Sequence, residues 1–384
     1  VVVLIRKLFV AVIVLTAVIS SAFSNTRALG AGSVSSVSAV LYEPESGRIL
    51  FEKDAHTPRP MASTTKIMTA LLAVEMVPLD KVVTVKDEAV RVEGSALGLR
   101  GGDQITMLDL VTGLLLESGN DAANVIAYTV AGSIPAFAEL MNRRAKEIGM
   151  KNTVFVTPSG LDEGEHSSSA YDMALLAAEA LKNETVAKIC ATKSTLIEFG
   201  NPPKKIRVTN HNKLLSLYPY AKGMKTGFTQ KSGRCLVSAA EKDGVTLIAV
   251  TLKAGDDWND HIAMYDYGFS ITESVQLPHQ ELPDLDVAGG NLGKVKLSMD
   301  APPAKVLLKE EMGLLRVEMN LPKFLVAPVE TGEVVGCVRY LVGDRELCRV
   351  EIKTAGSVGA RPVAGFFKKA VRHFISLFKA WIKN

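Results

Sequence analysis

The chain has 384 residues, 47% hydrophobic, 22% charged and 6% aromatic, a balance that excludes disordered and collagen-like chains and suits two domains, or one large domain with an appendage. Its net charge of +3 is carried by the ends: residues 1–24 hold two basic side chains and residues 361–384 six, with no acid in either, which leaves 36 basic against 41 acidic residues between them. So mildly acidic a body argues against nucleic acid, which needs a basic face, and four cysteines without C-x-x-C and six histidines without H-E-x-x-H give neither a disulfide framework nor a metal site, so no cofactor is expected.

Taken in chain order, residues 1–24 show Arg6 and Lys7, then an apolar run over 8–19 broken by Thr16, then Ala22-Phe23-Ser24. The run is about 12 residues against the ~20 of a spanning helix, so it reads as a secretory signal peptide, with an uncleaved anchor as the alternative. Either way the body works outside the cytoplasm. Two apolar runs, 37–42 and 48–51, flank Glu43-Pro44-Glu45-Ser46-Gly47 and predict a hairpin. Helical periods follow at 67–76, 108–116, 122–131, 134–148 and 173–181, and a strand pair, 235–240 and 245–252, turns at Asp243-Gly244. Residues 33–272 are thus expected to form one α+β domain.

Beyond about residue 275 the helical period fades into short alternating runs at 295–299, 305–308, 314–319, 334–341 and 347–352, predicting a small all-β domain over 275–360. Cys337 and Cys348 flank its turn at Gly343-Asp344 and either pair across it or stay as two thiols on a sheet. On a helical wheel the six basic residues of 361–384 cover an arc of about 100°, while nine large apolar residues, among them Phe366, Phe374, Phe378 and Trp381, cover about 180° on the other side. A basic helix with an aromatic-rich apolar face is the pattern of an in-plane membrane anchor.

Three short motifs carry chemistry. Ser63-Thr64-Thr65-Lys66 opens the helix near Ile67 and sets a hydroxyl and an amine three residues apart, hence on one face. A lysine whose pKa is lowered by burial or by a second cation can take the proton from such a serine. The spacing alone is weak, since Ser376 and Lys379 repeat it within the tail. Ser118-Gly119-Asn120 offers a hydroxyl and an amide at the mouth of a loop. Lys225-Thr226-Gly227 lies before the strand that starts at Cys235 and, by itself, reads as an ordinary turn.

In this order, and with the flanks Pro60-Met61-Ala62, Asp121-Ala122, Thr157-Pro158-Ser159-Gly160-Leu161-Asp162 and Gly223-Met224, the motifs resemble those of the low-molecular-mass D-alanyl-D-alanine carboxypeptidases, serine peptidases that recognise penicillin. The resemblance spans nearly the whole chain. It implies a β-lactamase/transpeptidase-like catalytic domain, a trailing all-β domain and a C-terminal amphipathic helix, with the protein on the outer face of the cytoplasmic membrane. It implies Ser63 as nucleophile, Lys66 as its base and Ser118 as proton relay to the leaving D-alanine. Asn120 would hold the substrate amide, Lys225 would keep Lys66 neutral, and Thr226 would bind the terminal carboxylate. The N–H groups of Ser63 and Phe228, beside Gly227, would form an oxyanion hole. The implied substrate is a stem peptide ending in D-Ala-D-Ala, with β-lactams as acylating inhibitors.

One position departs from the family. Where relatives often read N-R-N, this chain has Asn210-His211-Asn212, and an imidazole does not replace a bidentate guanidinium. Two other functions fit parts of the pattern. A β-lactamase would need a deacylating glutamate, usually in an E-x-x-L-N context that is missing here. A wall-binding scaffold without activity would have no use for both a nucleophile and its base.

Overall fold

The computed structural model describes residues 29–362, 369 and 371–375. The signal peptide expected at 1–24 lies outside these residues, as does most of the amphipathic segment expected at 361–384. The chain divides into two compact units between Glu273 and Ser274.

In the first unit, β1 (Ser38–Glu43) and β2 (Arg48–Lys53) form the expected hairpin. A 3-10 turn (Ala62–Thr65) leads into α1 (Lys66–Met76). Next come β3 (Val82–Thr84), β4 (Gln104–Thr106), α2 (Met107–Leu116), α3 (Asn120–Ala131), α4 (Ile134–Ile148), α5 (Ala170–Leu181) and α6 (Glu184–Ala191). The unit continues through β5 (Ser194–Gly200), β6 (Pro203–Thr209), the short α7 (Leu214–Leu217), β7 (Ala221–Thr229), β8 (Gly233–Lys242), β9 (Val245–Ala254) and α8 (Asp257–Ile271).

The main sheet is antiparallel, in the order β2-β1-β9-β8-β7. Val237 and Ala239 of β8 and Ile248, Val250 and Leu252 of β9 join the core that holds α1 to α6. The alternate residues Ser238 and Thr251 meet His261 of α8. With helices on both faces, β8 and β9 are buried on both sides, which is why they read as continuous apolar runs. Asp243 and Gly244, at φ +49° and +78°, make the two-residue turn that matches the twist of this pair.

Local chemistry sets the helix boundaries. Ser169 caps α5 through a bond from the Asp172 N–H at 3.1 Å, so this helix starts three residues before the expected 173. Ser133 caps α4, and Gly149 ends it at φ +91°. Helix α1 is buried nearly all round over residues 66–73 and is a core helix rather than an amphipathic one. The largest difference from expectation is at 225–227. These residues sit inside β7, paired with β8 from Ala221↔Ala240 to Thr229↔Gly233, and not in a turn before β8. The small sheet β3-β4-β5-β6 and helices α6, α7 and α8 are further elements that periodicity did not single out.

The second unit contains an antiparallel four-stranded sheet and a smaller three-stranded one. The expected run at 295–299 splits, with Lys294–Val295 in the smaller sheet and Leu297–Met299 in the larger. Strands Val334–Val342 and Arg345–Thr354 meet at Gly343-Asp344 as expected. Their register sets Cys337 opposite Glu351 and Cys348 opposite Tyr340, and both thiols are free. Three positions of stagger is about 10 Å, beyond the ~7 Å a disulfide can span. The cross-turn pairing is thereby excluded.

Candidate active site

The turn Ala62–Thr65 carries Ser63 into a cleft of the first unit, and α1 begins at Lys66, one turn later. Lys66 is fully buried, and its Nζ lies 2.8 Å from Ser63 Oγ, 2.7 Å from Asn120 Oδ1 and 2.7 Å from the carbonyl of Ser159. An ammonium has three protons for three acceptors, so the head group is fixed. Burial holds the Lys66 pKa well below the ordinary lysine value. The nearby charge of Lys225 lowers it further, against a smaller opposing pull from Asp121. A buried amine in contact with a hydroxyl can therefore lose its proton to water and take one from Ser63.

Each partner is positioned in turn. Asn120 opens α3; its Nδ2 donates to the Glu93 carbonyl at 2.6 Å and its backbone N–H to Ser95 O at 2.7 Å. Asp121 accepts from the N–H groups of Leu97, Gly98 and Leu99 at 2.9–3.1 Å, which fixes the loop in front of α3. Ser118 joins α2 to α3 at φ +63°, a left-handed conformation usually left to glycine. The side chain kept there is 5% exposed and lines the cleft beside Ser63. Backbone strain of this kind clusters at active sites.

Strand β7 is the last strand of its sheet, so one row of its N–H and C=O groups has no strand partner. The 62–65 turn packs beside it. At Gly227 an added Cβ would lie 2.9 Å from the Ser63 nitrogen, so only glycine lets the strand come this close. Lys225 on β7 is buried, which brings its pKa down to about 8, and its Nζ donates to the Thr226 carbonyl at 2.9 Å. Thr226, Gly227 and Phe228 line the cleft, and Phe228 is 66% exposed at its rim.

All eight residues singled out from the sequence fall in one neighbourhood, but in two layers. Ser63, Ser118, Thr226, Gly227 and Phe228 line a cleft of about 480 Å³. Lys66, Asn120 and Lys225 stand behind it, buried. Asn120 Oδ1 is taken up by Lys66, which makes this side chain a support for the amine as well as a candidate for holding substrate.

Sequence reasoning missed the floor of the site. The 157–160 stretch supplies the Ser159 carbonyl to Lys66 and the Pro158 carbonyl to Thr69 Oγ1 at 2.6 Å. His166 Nδ1 accepts from the Val156 N–H at 2.9 Å, so in the neutral ring Nε2 carries the proton and donates to Thr65 Oγ1 at 2.8 Å. Burial lowers its pKa to about 4, so this role persists at neutral pH. The quoted stretch Thr157 to Asp162 was the available signal. His211 also lines the cleft, with Nε2 3.5 Å from Glu117 Oε2. Ser95, Arg234, Asp257 and Trp258 complete the wall. Among the described residues no cluster of His, Cys, Asp or Glu could hold a metal.

The profile of a family described as D-alanyl-D-alanine carboxypeptidase matches residues 24–256, and that of the penicillin-binding protein 5 C-terminal domain matches 278–360. The chain is 34% identical to D-alanyl-D-alanine carboxypeptidase DacF of Bacillus subtilis over 78% of this chain and 79% of the relative. It is 31% identical to DacC of Escherichia coli over 94% and 93%. Among solved structures, penicillin binding protein 5 from Haemophilus influenzae superposes with a TM-score of 0.67 at 28% identity, over 85% of this chain and 98% of that one.

Proposed function

The chain belongs to the D-alanyl-D-alanine carboxypeptidase family, and from that premise we propose that Ser63 is the nucleophile and Lys66 the base of a serine carboxypeptidase acting on peptidoglycan stem peptides. The observation that carries this is the 2.8 Å contact between a buried Lys66 amine and the Ser63 hydroxyl. Ser63 Oγ attacks the carbonyl carbon of the penultimate D-alanine while its proton passes to Lys66 Nζ. The negative charge that develops on the carbonyl oxygen is met by the N–H groups of Ser63 and Phe228, each donor worth about 3 kcal/mol. As the tetrahedral intermediate collapses, Ser118 passes a proton to the leaving amine and free D-alanine departs. Lys66 then activates the water that hydrolyses the ester. Asn120, whose second Nδ2 hydrogen has no partner among the described residues, holds the substrate amide. Thr226 and Lys225 draw the terminal carboxylate to the edge of β7. A β-lactam enters the same path and stays on Ser63, because its acyl group blocks the water.

The test is a penicillin adduct located on Ser63 by mass spectrometry and lost over minutes or longer, together with D-alanine release from a peptide ending in D-Ala-D-Ala. Turnover of penicillin within seconds would instead make this a β-lactamase, and an adduct without D-alanine release would leave a binding scaffold.

The domain limits of 33–272 and 275–360, the export of the chain by residues 1–24 and its anchoring by residues 361–384 belong to the same proposal. The last rests on the separation of basic and apolar faces in the sequence; among the described residues of the segment, Val371, Phe374 and Ile375 are exposed. No described helix is long and apolar enough to cross a membrane, and an in-plane helix needs none. Deleting 361–384 should leave turnover of a soluble peptide within about twofold while abolishing co-sedimentation with anionic vesicles. A truncated protein that still sediments would refute the anchor.

A further inference from the structure

A substrate that ends in a carboxylate needs a cation at the point where that group stops. Lys225 is buried behind the cleft, and His211 faces Glu117 at 3.5 Å. Among the described residues that line the cleft, Arg234 is the only permanent cation.

Its setting is that of a held guanidinium. Arg234 pairs with Phe228 across β7 and β8, and Thr226 lies two residues from Phe228 on β7, so the three side chains share one face of the sheet. Nε donates to Asp257 Oδ1 at 2.9 Å, and Nη2 donates to the same oxygen. The Trp258 ring lies 5.6 Å from Cζ. Asp257 is 4% exposed at its side chain, whereas Arg234 is 43% exposed. Of the five guanidinium hydrogens only two go to Asp257, and Nη1 has no hydrogen-bond partner among the described residues. One edge of the fork is therefore anchored and the other is free, on a residue that lines the cleft.

We propose that Arg234 is a specificity-determining residue that receives the carboxylate at the end of the substrate, beside Thr226, with Asp257 and Trp258 holding it in place. The proposal rests on Ser63 being the acylated residue. It also accounts for how the chain manages with His211 at a position where an arginine would otherwise serve: the guanidinium comes from the neighbouring strand. A bidentate fork favours a carboxylate over the same group esterified.

The experiment measures the rate of Ser63 acylation by benzylpenicillin and by its methyl ester, which differ only in that carboxylate, in the full-length protein. Wild type should prefer the acid. In Arg234→Gln the acid-to-ester ratio of rates should fall about 10- to 100-fold, the loss of a charge-assisted hydrogen bond, and Arg234→Lys should recover part of it. An unchanged ratio in Arg234→Gln overturns the proposal. So does an equal slowing of both compounds, which would mark a structural role. If wild type takes up neither compound, the assignment of Ser63 fails first, and that outcome is recognisable because no variant is needed to see it.

Discussion

Ser63→Ala is expected to lower D-alanine release by at least about 10⁴-fold, since the nucleophile has no substitute and what remains is binding and the oxyanion hole. Lys66→Ala should cost about 10²- to 10⁴-fold, the usual worth of a positioned general base. It should also destabilise the fold by about 1–3 kcal/mol, because the Asn120 carboxamide oxygen and the Ser159 carbonyl lose their buried donor. Lys66→Arg separates base from charge. A guanidinium keeps the cation but does not give up its proton, so this variant should be as inactive as the alanine one. Stopped assays of D-alanine release, with urea midpoints as the control for folding, check all three. An active Lys66→Arg would mean that Lys66 acts by charge alone.

The second large effect concerns Lys225 and is best seen as a pH profile. Lys66 must be neutral to accept a proton, so kcat/KM should rise with pH as Lys66 loses its own, well below the ordinary lysine range. Lys225 must stay charged to draw the carboxylate, so the rate should fall as pH passes about 8. The result is a bell. Lys225→Met removes one of the two causes that hold the Lys66 pKa down, so the rising limb should move to higher pH, while the fall near 8 disappears. Each unit of that movement is a tenfold loss at a pH below the limb, and losing the buried charge that attracts the carboxylate from behind the cleft should bring the deficit at pH 7 to about 10²-fold or more. A variant that keeps both limbs in place would show that the charge at residue 225 acts on neither Lys66 nor substrate.

Helices α1 to α5 were legible because each carries a run of about nine or more mostly apolar residues, whereas the eight-residue α6 was not, and the β8–β9 hairpin was legible because Asp243-Gly244 is a two-residue turn between two apolar runs. The neighbourhood of Ser63 and Lys66 was legible because their proximity is a matter of helical spacing alone. Strand β7 was not. Two lysines and two glycines among Ala221–Thr229 have poor strand propensity, and pairing with β8 along its whole length overrides it. The cleft wall was hidden for another reason: Arg234 and Asp257 are 23 residues apart and meet only once α8 is folded over β8. The 157–160 floor was hidden likewise, since it acts through main-chain carbonyls, whose use no side-chain motif records.

Beneath the nucleophile, Gly160 sits at φ +85°, where a Cβ would come within 1.9 Å of the Ala62 carbonyl oxygen. At that point main chain meets main chain, and the side chains beside it, Thr65, Lys66 and Thr69, are each held by a buried hydrogen bond. A ligand reaching so preassembled a centre spends little of its affinity on ordering it. Free and acylated forms should therefore superpose closely over residues 61–66 and 157–160, and differences in inhibitor potency should originate in the ring-opening step and the outer rim rather than in adaptation at the bottom of the groove.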